Sequence, residues 1–545
     1  MDHAAAQEAS TRAATWSRLW PELLAFLVAL AFAVGAVASV VFSERGAVLF
    51  YDGDSVLLEL VHRSILAGEA PHWAMSAVLF VFPEIPTYLL LRAAIPVPEG
   101  AVMVNAVLTL SVLYLLLRLI AARLTPVSIH ARWAALVGSS LFALCVSLET
   151  GTERESFQLA SLLIFPTYYY GAVLVFFGVL GLTLGLLRTE ARRVPVMAAI
   201  AVLTALATAS NALYALWGVA PIVAGALIAS LLKRLPWRDA VLLMGPTLVG
   251  LALGLIARIP LGVFASPAAL PYNHPGKQLD AAIYYPREAA TLLLHGRRGP
   301  FEFMLLAILL AVAVVALIVV LRNRRLGPVP VITALIGVGM PIGIYLFNVV
   351  AGTESTRYLQ PFYFAPLLSV LVLVVQFLER RPSLGKSPRR WLAPVVAAVA
   401  AVAVVVPAVA LVNRASQPYQ RADCLEEWVD GRDVTGLGQF WESRDLAAYG
   451  SPDVDLLQVQ PNQYAFPWLV NLAHFYDAEP TYVVGSPAWA ASVEDELGPP
   501  AERIECADYT ILDYAGTDVI DVLHERAVLG ARATAVQQGL IVAER

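Results

Sequence analysis

The sequence predicts a polytopic α-helical membrane protein whose chain ends in a soluble mixed α/β domain. Of its 545 residues, 59% are hydrophobic and only 14% are charged, whereas about a quarter of an ordinary soluble domain is charged. Apolar runs long enough to cross a hydrocarbon core of about 30 Å recur up to residue 412. After Asn413, Asp and Glu are frequent and no run is long enough to span. The net charge of -5, with acids concentrated in this last part, excludes a nucleic-acid-binding protein.

About eleven apolar segments, each of roughly 17 to 25 residues, are candidate membrane spans. They are 22–43, 101–121, 133–148, 169–187, 194–209, 212–232, 240–257, 303–321, 329–350, 362–378 and 393–412. The first is too long for a signal peptide and no small-residue cleavage site follows it, so we expect a retained membrane helix. The spans hold almost no ionisable residue near their midpoints. This argues against an ion-coupled transporter, because such proteins usually carry charged groups at membrane depth.

Basic residues mark alternate loops between these spans. Cytoplasmic loops are enriched in Lys and Arg, which places the following residues inside: Arg123, Arg132, Arg188, Arg192, Arg193, Lys233, Arg234, Arg238, Arg322, Arg324, Arg325, Arg380, Arg381, Lys386, Arg389 and Arg390. The N-terminus is then cytoplasmic and Arg545 is outside. The outside loops are 44–100, 149–168, a tight turn near Ser210-Asn211, 258–302 and 351–361. We therefore expect a transmembrane domain over 1–413 and an extracytoplasmic domain over 414–545.

Two carboxylates follow the first span, in the sequence Tyr51-Asp52-Gly53-Asp54. A carboxylate at the membrane surface can take the proton of an acceptor hydroxyl in a group-transfer reaction. Asp54 can instead cap a helix that begins at Ser55, a role that Asp fills well. Asp52 has no such role, and Gly53 beside it lets the backbone approach a substrate closely. Asp52 is therefore the preferred base, with Asp54 as the alternative.

The rest of the first outside loop, 44–100, predicts a surface helix and a third acid. Apolar residues recur at helical spacing over 55–67, with Glu59 and Arg63 on the other side. This pattern is typical of a helix that lies flat on the membrane. Glu84 stands between two prolines. We expect this acid to orient the acceptor or a metal, with a solvated loop residue as the alternative.

Cationic residues in later outside loops predict a phosphate site. Arg357 opens a span from the outside, where positive charge is not favoured, and a phosphate partner would explain it because a guanidinium binds phosphate in a bidentate way. The alternative is an interfacial Arg beside an aromatic residue, here Tyr358. Further phosphate candidates are Tyr358, Lys277, Arg297 and Arg298. The charged residues of 149–168 are expected to form a solvated rim, with one functional acid as the alternative: Glu149, Glu153, Arg154 and Glu155.

The C-terminal part alternates short β-rich stretches with helical patterns. We predict strands at 454–460, 481–484 and 509–514 and helices at 425–429, 467–476 and 519–529. Cys424 and Cys506 both fall here, and we predict a disulfide between them, with two unpaired buried cysteines as the alternative. The aromatic residues of this part form buried core or, less commonly, a surface that stacks on sugar rings: Trp441, Tyr464, Trp468, His474 and Tyr476.

This layout resembles the GT-C class of integral-membrane glycosyltransferases, which includes protein O-mannosyltransferases and the aminoarabinose transferases that modify lipid A. In that class an Asp-containing motif follows the first membrane helix, then a surface helix, then an acid near a proline. Tyr51-Asp52-Gly53-Asp54 and Phe82-Pro83-Glu84-Ile85-Pro86 take those places, and Arg357-Tyr358-Leu359-Gln360-Pro361 is similar to the late Arg-Tyr-x-x-Pro element. The resemblance covers roughly residues 20 to 412. Asp-Gly-Asp replaces the usual Asp-Glu pair, and no Lys accompanies Glu84.

The resemblance implies transfer of a sugar from a polyprenyl-phosphate donor to a cell-envelope acceptor, outside a bacterial cytoplasmic membrane. Asp52, Asp54 and Glu84 are then the candidate catalytic acids. The alternatives are a lipid or polysaccharide transporter and a non-catalytic envelope-assembly protein that binds a partner through its C-terminal domain. No cofactor is predicted and a divalent metal stays open. The expected partners are the lipid-linked donor, the envelope acceptor and membrane lipids.

Overall fold

Apolar helices lie at each of the predicted spans. The computed structural model describes residues 2–188, 193–268, 272–294, 296–381 and 392–542, with side chains from residue 19 onward. Within these ranges nine helices are long and apolar enough to cross a membrane: Leu19–Val41, Pro98–Leu124, Ser128–Leu148, Arg193–Ser210, Trp237–Phe264, Gly299–Arg322, Pro328–Ala351, Thr356–Arg380 and Leu392–Val429. The other two predicted spans hold shorter apolar helices, Tyr170–Gly185 and Ala215–Leu231. The chain is therefore a multi-pass membrane protein. The following predicted topology markers lie outside the described residues: Arg192, Lys386, Arg389, Arg390 and Arg545.

The helices of the described chain are α1 Asp2–Val41, α2 Arg45–Tyr51, α3 Leu57–Leu66, α4 Glu84–Ala94, α5 Pro98–Leu124, α6 Ser128–Leu148, α7 Tyr170–Gly185, α8 Arg193–Ser210, α9 Ala220–Leu231, α10 Trp237–Leu261, α11 Gln278–Thr291, α12 Gly299–Arg322, α13 Pro328–Ala351, α14 Pro361–Phe364, α15 Pro366–Arg380, α16 Leu392–Ala415, α17 Asp423–Val429, α18 Arg444–Tyr449, α19 Pro487–Leu497, α20 Val519–His524 and α21 Gly530–Gln538. The strands are β1 Trp73–Ala74, β2 Thr435–Gln439, β3 Asp455–Val459, β4 Val470–Asn471, β5 Pro480–Gly485, β6 Glu502–Glu505 and β7 Thr510–Asp513. The membrane core lies where α5, α7 and α15 meet neighbouring helices, since Leu117, Phe176 and Leu371 are fully buried.

Helix α3 lies within the range 55–67 where a surface helix is predicted, but protein covers its polar side. Glu59 is 3% exposed and accepts a hydrogen bond from Arg92 Nε of α4 (2.7 Å). Arg63 donates to the carbonyl oxygen of Ala447 in α18 (2.8 Å). A helix lying alone on a membrane would turn this side to water. Here α3 is held between α4 and the C-terminal part.

The C-terminal part contains a five-stranded mixed sheet in the order β3-β2-β5-β7-β6. Strand β2 pairs in parallel with β3 and β5, whereas β7 pairs antiparallel with β5 and β6. Leu437 of β2 lies opposite Leu457 and Val483, and all three side chains are fully buried. The mixed α/β architecture expected for this part is confirmed.

The helix predicted at 467–476 is wrong. Strand β4 lies there, paired antiparallel with β1 of the first outside loop, and a short 3-10 turn follows at Leu472–Phe475. Asn471 Nδ2 also donates to the carbonyl oxygen of Ala70 (2.8 Å) and to Ser64 Oγ (2.9 Å). This tertiary pairing overrides the local helical pattern, because local preferences are weak beside tertiary contacts. The first outside loop and the C-terminal part therefore share one small sheet.

Cys424 in α17 and Cys506 after β6 are joined by a disulfide, with their Cα atoms 6.0 Å apart. The bond connects the first helix of the C-terminal part to its far sheet edge. The third cysteine, Cys145, is buried in α6 and free.

Candidate active site

Asp52 lies between α2 and α3, and both of its carboxylate oxygens have protein partners. Oδ2 pairs with Arg154 Nε, and Oδ1 accepts the backbone N–H of Asp54 (2.9 Å). The Asp52 side chain is 1% exposed. Its oxygens therefore hold the loop together, a role that the sequence does not indicate.

Asp54 is not a helix cap. The residue before α3 is Val56, and no side chain caps this helix, so the predicted capping role is wrong. Burial raises the pKa of Asp54 to about 6 against the opposing charge of Arg357, and the charge of Asp52 adds to the rise. The carboxylate is therefore mostly ionised at neutral pH and takes up a proton slightly below it. A general base needs a pKa of this kind.

Gly53 is the point where the C-terminal part meets this motif. A Cβ atom at Gly53 would lie 2.7 Å from both Cε1 and the carbonyl oxygen of Phe440. The residue must therefore be small. Phe440 fills the space that the sequence assigned to an approaching substrate, which removes the reason for preferring Asp52 as the base.

Buried side chains anchor the loop 149–168, which is therefore not solvated throughout. Glu149 is 1% exposed and accepts the N–H groups of Ala160 (2.8 Å) and Ser161 (2.6 Å). Burial raises the pKa of Glu149 to about 7 despite the nearby charge of Arg45. Arg45 is itself fully buried and donates to Ser161 Oγ (3.0 Å). These contacts fix the loop against α2.

Two residues of the same loop reach the neighbouring segments. Besides pairing with Asp52, the Arg154 guanidinium carbon lies 3.8 Å from the centroid of the Trp441 ring. Glu155 Oε2 accepts the backbone N–H of Thr356 (2.9 Å). The loop therefore links the Asp52 motif to the C-terminal part on one side and to the Arg357 segment on the other.

Asp54 and Arg357 meet at the junction of two cavities. Arg357 Nη1 lies 3.6 Å from Asp54 Oδ2. Both residues line both cavities, together with Glu155 and Tyr168. We call the cavity of about 370 Å³ the tyrosine lobe. The other, of about 840 Å³ and containing Trp441, is the tryptophan lobe.

The tyrosine lobe collects three of the predicted phosphate-binding residues, namely Arg357, Tyr358 and Lys277. Tyr272 and His274 line the same lobe. Arg357 Nε has no hydrogen-bond partner among the described residues, and its side chain is 30% exposed. The lobe therefore offers a cation with unused donor capacity to an anionic ligand.

Backbone strain concentrates in the tyrosine lobe. Of five non-glycine residues with positive φ in the described chain, three line it: Phe80 (56°), Tyr169 (72°) and Leu469 (54°). Bulky residues in this region cost about 1–3 kcal/mol each, and such strain clusters at functional sites. Leu469 comes from the C-terminal part, which thus helps to complete the lobe.

Four predicted site residues line neither lobe: Asp52, which is described above, and Glu84, Arg297 and Arg298. Glu84 is 2% exposed and accepts the N–H of Gly171 (3.2 Å), and burial raises its pKa to about 8. Its carboxyl group is therefore mostly protonated at neutral pH. Arg297 and Arg298 are exposed and line neither lobe. The predicted residues that the structure brings together are Asp54, Arg357, Tyr358 and Lys277, with Asp52 paired to the lining residue Arg154.

Part of the cavity wall consists of residues that the sequence does not single out as site residues. Tyr168 and Tyr169 line it, and the only local signal for them is a run of three tyrosines at the outer end of a span. Arg154 is expected in a solvated rim, although it pairs with Asp52. Trp441 and Trp468 are noted as aromatic candidates, and each lines one lobe.

A divalent metal does not fit the residues at this site. No group of three His, Cys, Asp or Glu within the described ranges is placed to hold one. Mg²⁺ and Ca²⁺ require several oxygen ligands. Asp52 has both oxygens engaged, and Asp54 faces a guanidinium that would repel a cation.

The fold is similar to that of a solved glycosyltransferase. The crystal structure of ArnT from Cupriavidus metallidurans bound to undecaprenyl phosphate matches with a TM-score of 0.51 and 14% identity, over 92% of this chain and 98% of that chain. A crystal structure of the Archaeoglobus fulgidus oligosaccharyltransferase in complex with Zn and sulfate has a TM-score of 0.41 and 13% identity, over 86% and 68%. No protein-family model and no curated protein matches the sequence. The predicted resemblance to the GT-C class is confirmed for the fold.

Proposed function

We propose that this protein transfers a sugar from a polyprenyl-phosphate donor to an acceptor of the bacterial cell envelope, with Asp54 as the general base. The observation that carries the proposal is the meeting of Asp54 and Arg357, far apart in the chain, where two cavities join. Glycosyl transfer from a lipid phosphate needs a base for the acceptor and a cation for the leaving phosphate. One carboxylate and one guanidinium at this junction meet both needs.

The tyrosine lobe is the donor side in this proposal. Arg357 and Lys277 supply positive charge, and Tyr358 supplies a hydroxyl and an aromatic ring at its wall. The similar ArnT of Cupriavidus metallidurans was crystallised with undecaprenyl phosphate, which is a lipid of the donor's class. Both observations support a lipid phosphate as the group bound here. Arg297 and Arg298 would contribute only by attracting the negatively charged donor at longer range.

The chemical step follows from these assignments. The acceptor oxygen attacks the anomeric carbon of the sugar while Asp54 takes the hydroxyl proton. A new carbon–oxygen bond forms, and the bond between the anomeric carbon and the phosphate oxygen breaks. The polyprenyl phosphate leaves with that electron pair, and Arg357 stabilises its negative charge. Asp52 acts through Arg154 and the loop, as a positioning residue.

In the membrane, we place the reaction on the extracytoplasmic face, with 1–413 as the transmembrane part and 414–545 outside. The basic loops support this orientation. Glu84 keeps a structural role in this proposal, since it is buried and lines neither lobe.

The test compares Asp54→Asn with Asp52→Asn in membranes that contain the full chain. Radiolabelled sugars on polyprenyl phosphate are supplied one at a time, and label moving to envelope material is counted. Asp54→Asn should lose about 10²- to 10⁴-fold in rate, because the amide keeps the shape but cannot accept the proton. Asp52→Asn should lose less.

Asp477→Asn is the matched control, since the Asp477 side chain is fully exposed and lies outside both lobes. Transfer by Asp54→Asn at the rate of the control would contradict the proposal. A larger loss in Asp52→Asn than in Asp54→Asn would restore Asp52 as the base.

A further inference from the structure

A third cavity, of about 760 Å³, lies between α3 and the sheet of the C-terminal part. We call it the α3 cavity. Residues of α3, the segment before α5 and strands β3 and β4 line it, and neither Asp54 nor Arg357 does. It is therefore separate from the two lobes of the candidate active site.

Every acid that lines the α3 cavity is already paired. Glu59 binds Arg92 Nε at 2.7 Å. Glu69 and Asp455 each lie 2.7 Å from a ring nitrogen of His474. Burial lowers the pKa of His474, but the hydrogen bonds that its ring donates to Asp455 and Glu69 outweigh burial and raise the pKa to about 10. This imidazole is therefore protonated at neutral pH and neutralises part of the acidic charge.

Two cations of the α3 cavity have no acid partner within 4.0 Å among the described residues. Arg63 donates to backbone carbonyl oxygens in α18 and just after it. Arg444 is 4% exposed and donates from Nη2 to the carbonyl oxygen of Leu469 (2.8 Å). Its Nε and Nη1 have no hydrogen-bond partner in the described chain. Arg444 therefore keeps two donor nitrogens without a partner among the described residues, although Asp54 and Asp52 are near enough to act on its charge.

Arg444 is the residue that most requires a ligand. Two of its three guanidinium nitrogens are buried with no hydrogen-bond partner in the described chain, which is unfavourable for a charged group. The nearby acids do not fill its donors, because Asp52 is paired with Arg154 and Asp54 faces Arg357. An anion in the cavity would satisfy these donors.

The mouth of the α3 cavity is apolar. Leu66, at the end of α3, lines the cavity and is 73% exposed. Ile65 beside it is 55% exposed. In a multi-pass membrane protein, exposed leucine and isoleucine at a cavity edge suit the acyl chains of a lipid. The site thus pairs a buried cation with an apolar entrance.

We propose that the α3 cavity binds the headgroup of an anionic membrane phospholipid, with Arg444 contacting the phosphate and Leu66 contacting an acyl chain. This second ligand site does not depend on the transferase activity proposed above. A phospholipid whose phosphate charge is balanced by its own ammonium group should bind more weakly than an anionic one.

The test measures lipid binding to the purified full-length protein in neutral detergent, by native mass spectrometry. The probes are phosphatidylglycerol, phosphatidylcholine and inorganic phosphate. Wild type should bind phosphatidylglycerol at least tenfold more tightly than phosphatidylcholine. Arg444→Gln should bind it at least tenfold more weakly than wild type, and Arg444→Lys should fall between them. Arg432→Gln, a half-exposed arginine of the same part outside the cavity, should bind like wild type.

A second pair of variants keeps the test valid if Arg444→Gln does not fold. Leu66→Glu places a negative charge at the mouth and should weaken phosphatidylglycerol binding severalfold. Leu90→Glu is the control, because Leu90 is 74% exposed and lies outside the cavity. Equal phosphatidylglycerol affinity in Leu66→Glu and Leu90→Glu would overturn the site. Phosphatidylglycerol binding no tighter than inorganic phosphate would overturn the assignment to a lipid.

Discussion

Replacing Arg357 by glutamine should move the acidic limb of the pH–activity profile to higher pH. Arg357 Nη1 lies 3.6 Å from Asp54 Oδ2. Two unit charges at that distance attract by about 1 kcal/mol in bulk water and by about 5 kcal/mol at an effective dielectric constant of 20. One pKa unit corresponds to about 1.4 kcal/mol. Loss of the cation should therefore raise the pKa of Asp54 by roughly one to three units from its value of about 6.

The sign follows from the role of the base. Asp54 must be ionised to accept a proton, so wild-type activity should fall as the pH drops through about 6. In Arg357→Gln the same fall should occur at a higher pH, so that the variant is weak at pH 7 and recovers in alkaline buffer. Arg357→Lys keeps the charge and should keep the limb near that of wild type. It should still bind the donor less well, because the bidentate contact with phosphate is lost.

The assay is kcat for sugar transfer at saturating donor, measured from pH 5 to pH 10. Arg503→Gln is the control, because Arg503 pairs with exposed acids of the C-terminal part, away from both lobes. Acidic limbs that coincide in Arg357→Gln and wild type would refute the coupling between Arg357 and Asp54. A limb that also moves in Arg503→Gln would show an effect of net charge alone.

Three further predictions concern other parts of the molecule. Trp441→Ala should lower kcat/KM by about 2- to 30-fold, the range of a lost cation–π contact with the guanidinium beside it, while Trp441→Phe retains more; equal kinetics of the two variants would contradict the stacking role. Replacing Cys424 and Cys506 by serine should destabilise the C-terminal part by about 2–5 kcal/mol in denaturant titrations. Alkylation of the unfolded, non-reduced wild-type chain should label Cys145 alone, and labelling of all three would refute the bond. Tags at the two ends should differ in intact cells, with only the tag after Arg545 accessible; accessibility of both would contradict the predicted orientation.

The sequence predicts the membrane part well because its signals are local. An apolar run of span length is a property of adjacent residues, and the hydrocarbon core sets that length. The spacing over 55–67 likewise predicts α3 from one face of a helix. Strand β2 is not predicted from the sequence, because it contains Gly436 and Gly438, and glycine is unfavourable in strands. A Cβ at Gly436 would lie 2.3 Å from the Tyr482 ring, so packing explains this glycine.

The site residues depend on contacts between distant segments, which local patterns do not contain. The sequence prefers Asp52 to Asp54 as the base, whereas our proposal prefers Asp54, because Arg154 approaches Asp52 from another loop and Phe440 approaches Gly53 from the C-terminal part. Arg357 could be singled out from the sequence, because a cation is unusual at an end of a span that the basic loops predict to be outside.

The small sheet of β1 and β4 also orders events during synthesis. Asn471 follows Ala70, the partner of its side chain, by 401 positions. At about 5–20 residues per second, the ribosome needs roughly 20–80 s to make the intervening chain. For that time β1 has no strand to pair with, Gly53 has no Phe440 against it, and the cavity walls supplied by Trp441 and Leu469 do not exist. The cavity walls of the nascent membrane part are therefore incomplete until the ribosome has made residues 440 to 471 of the C-terminal part.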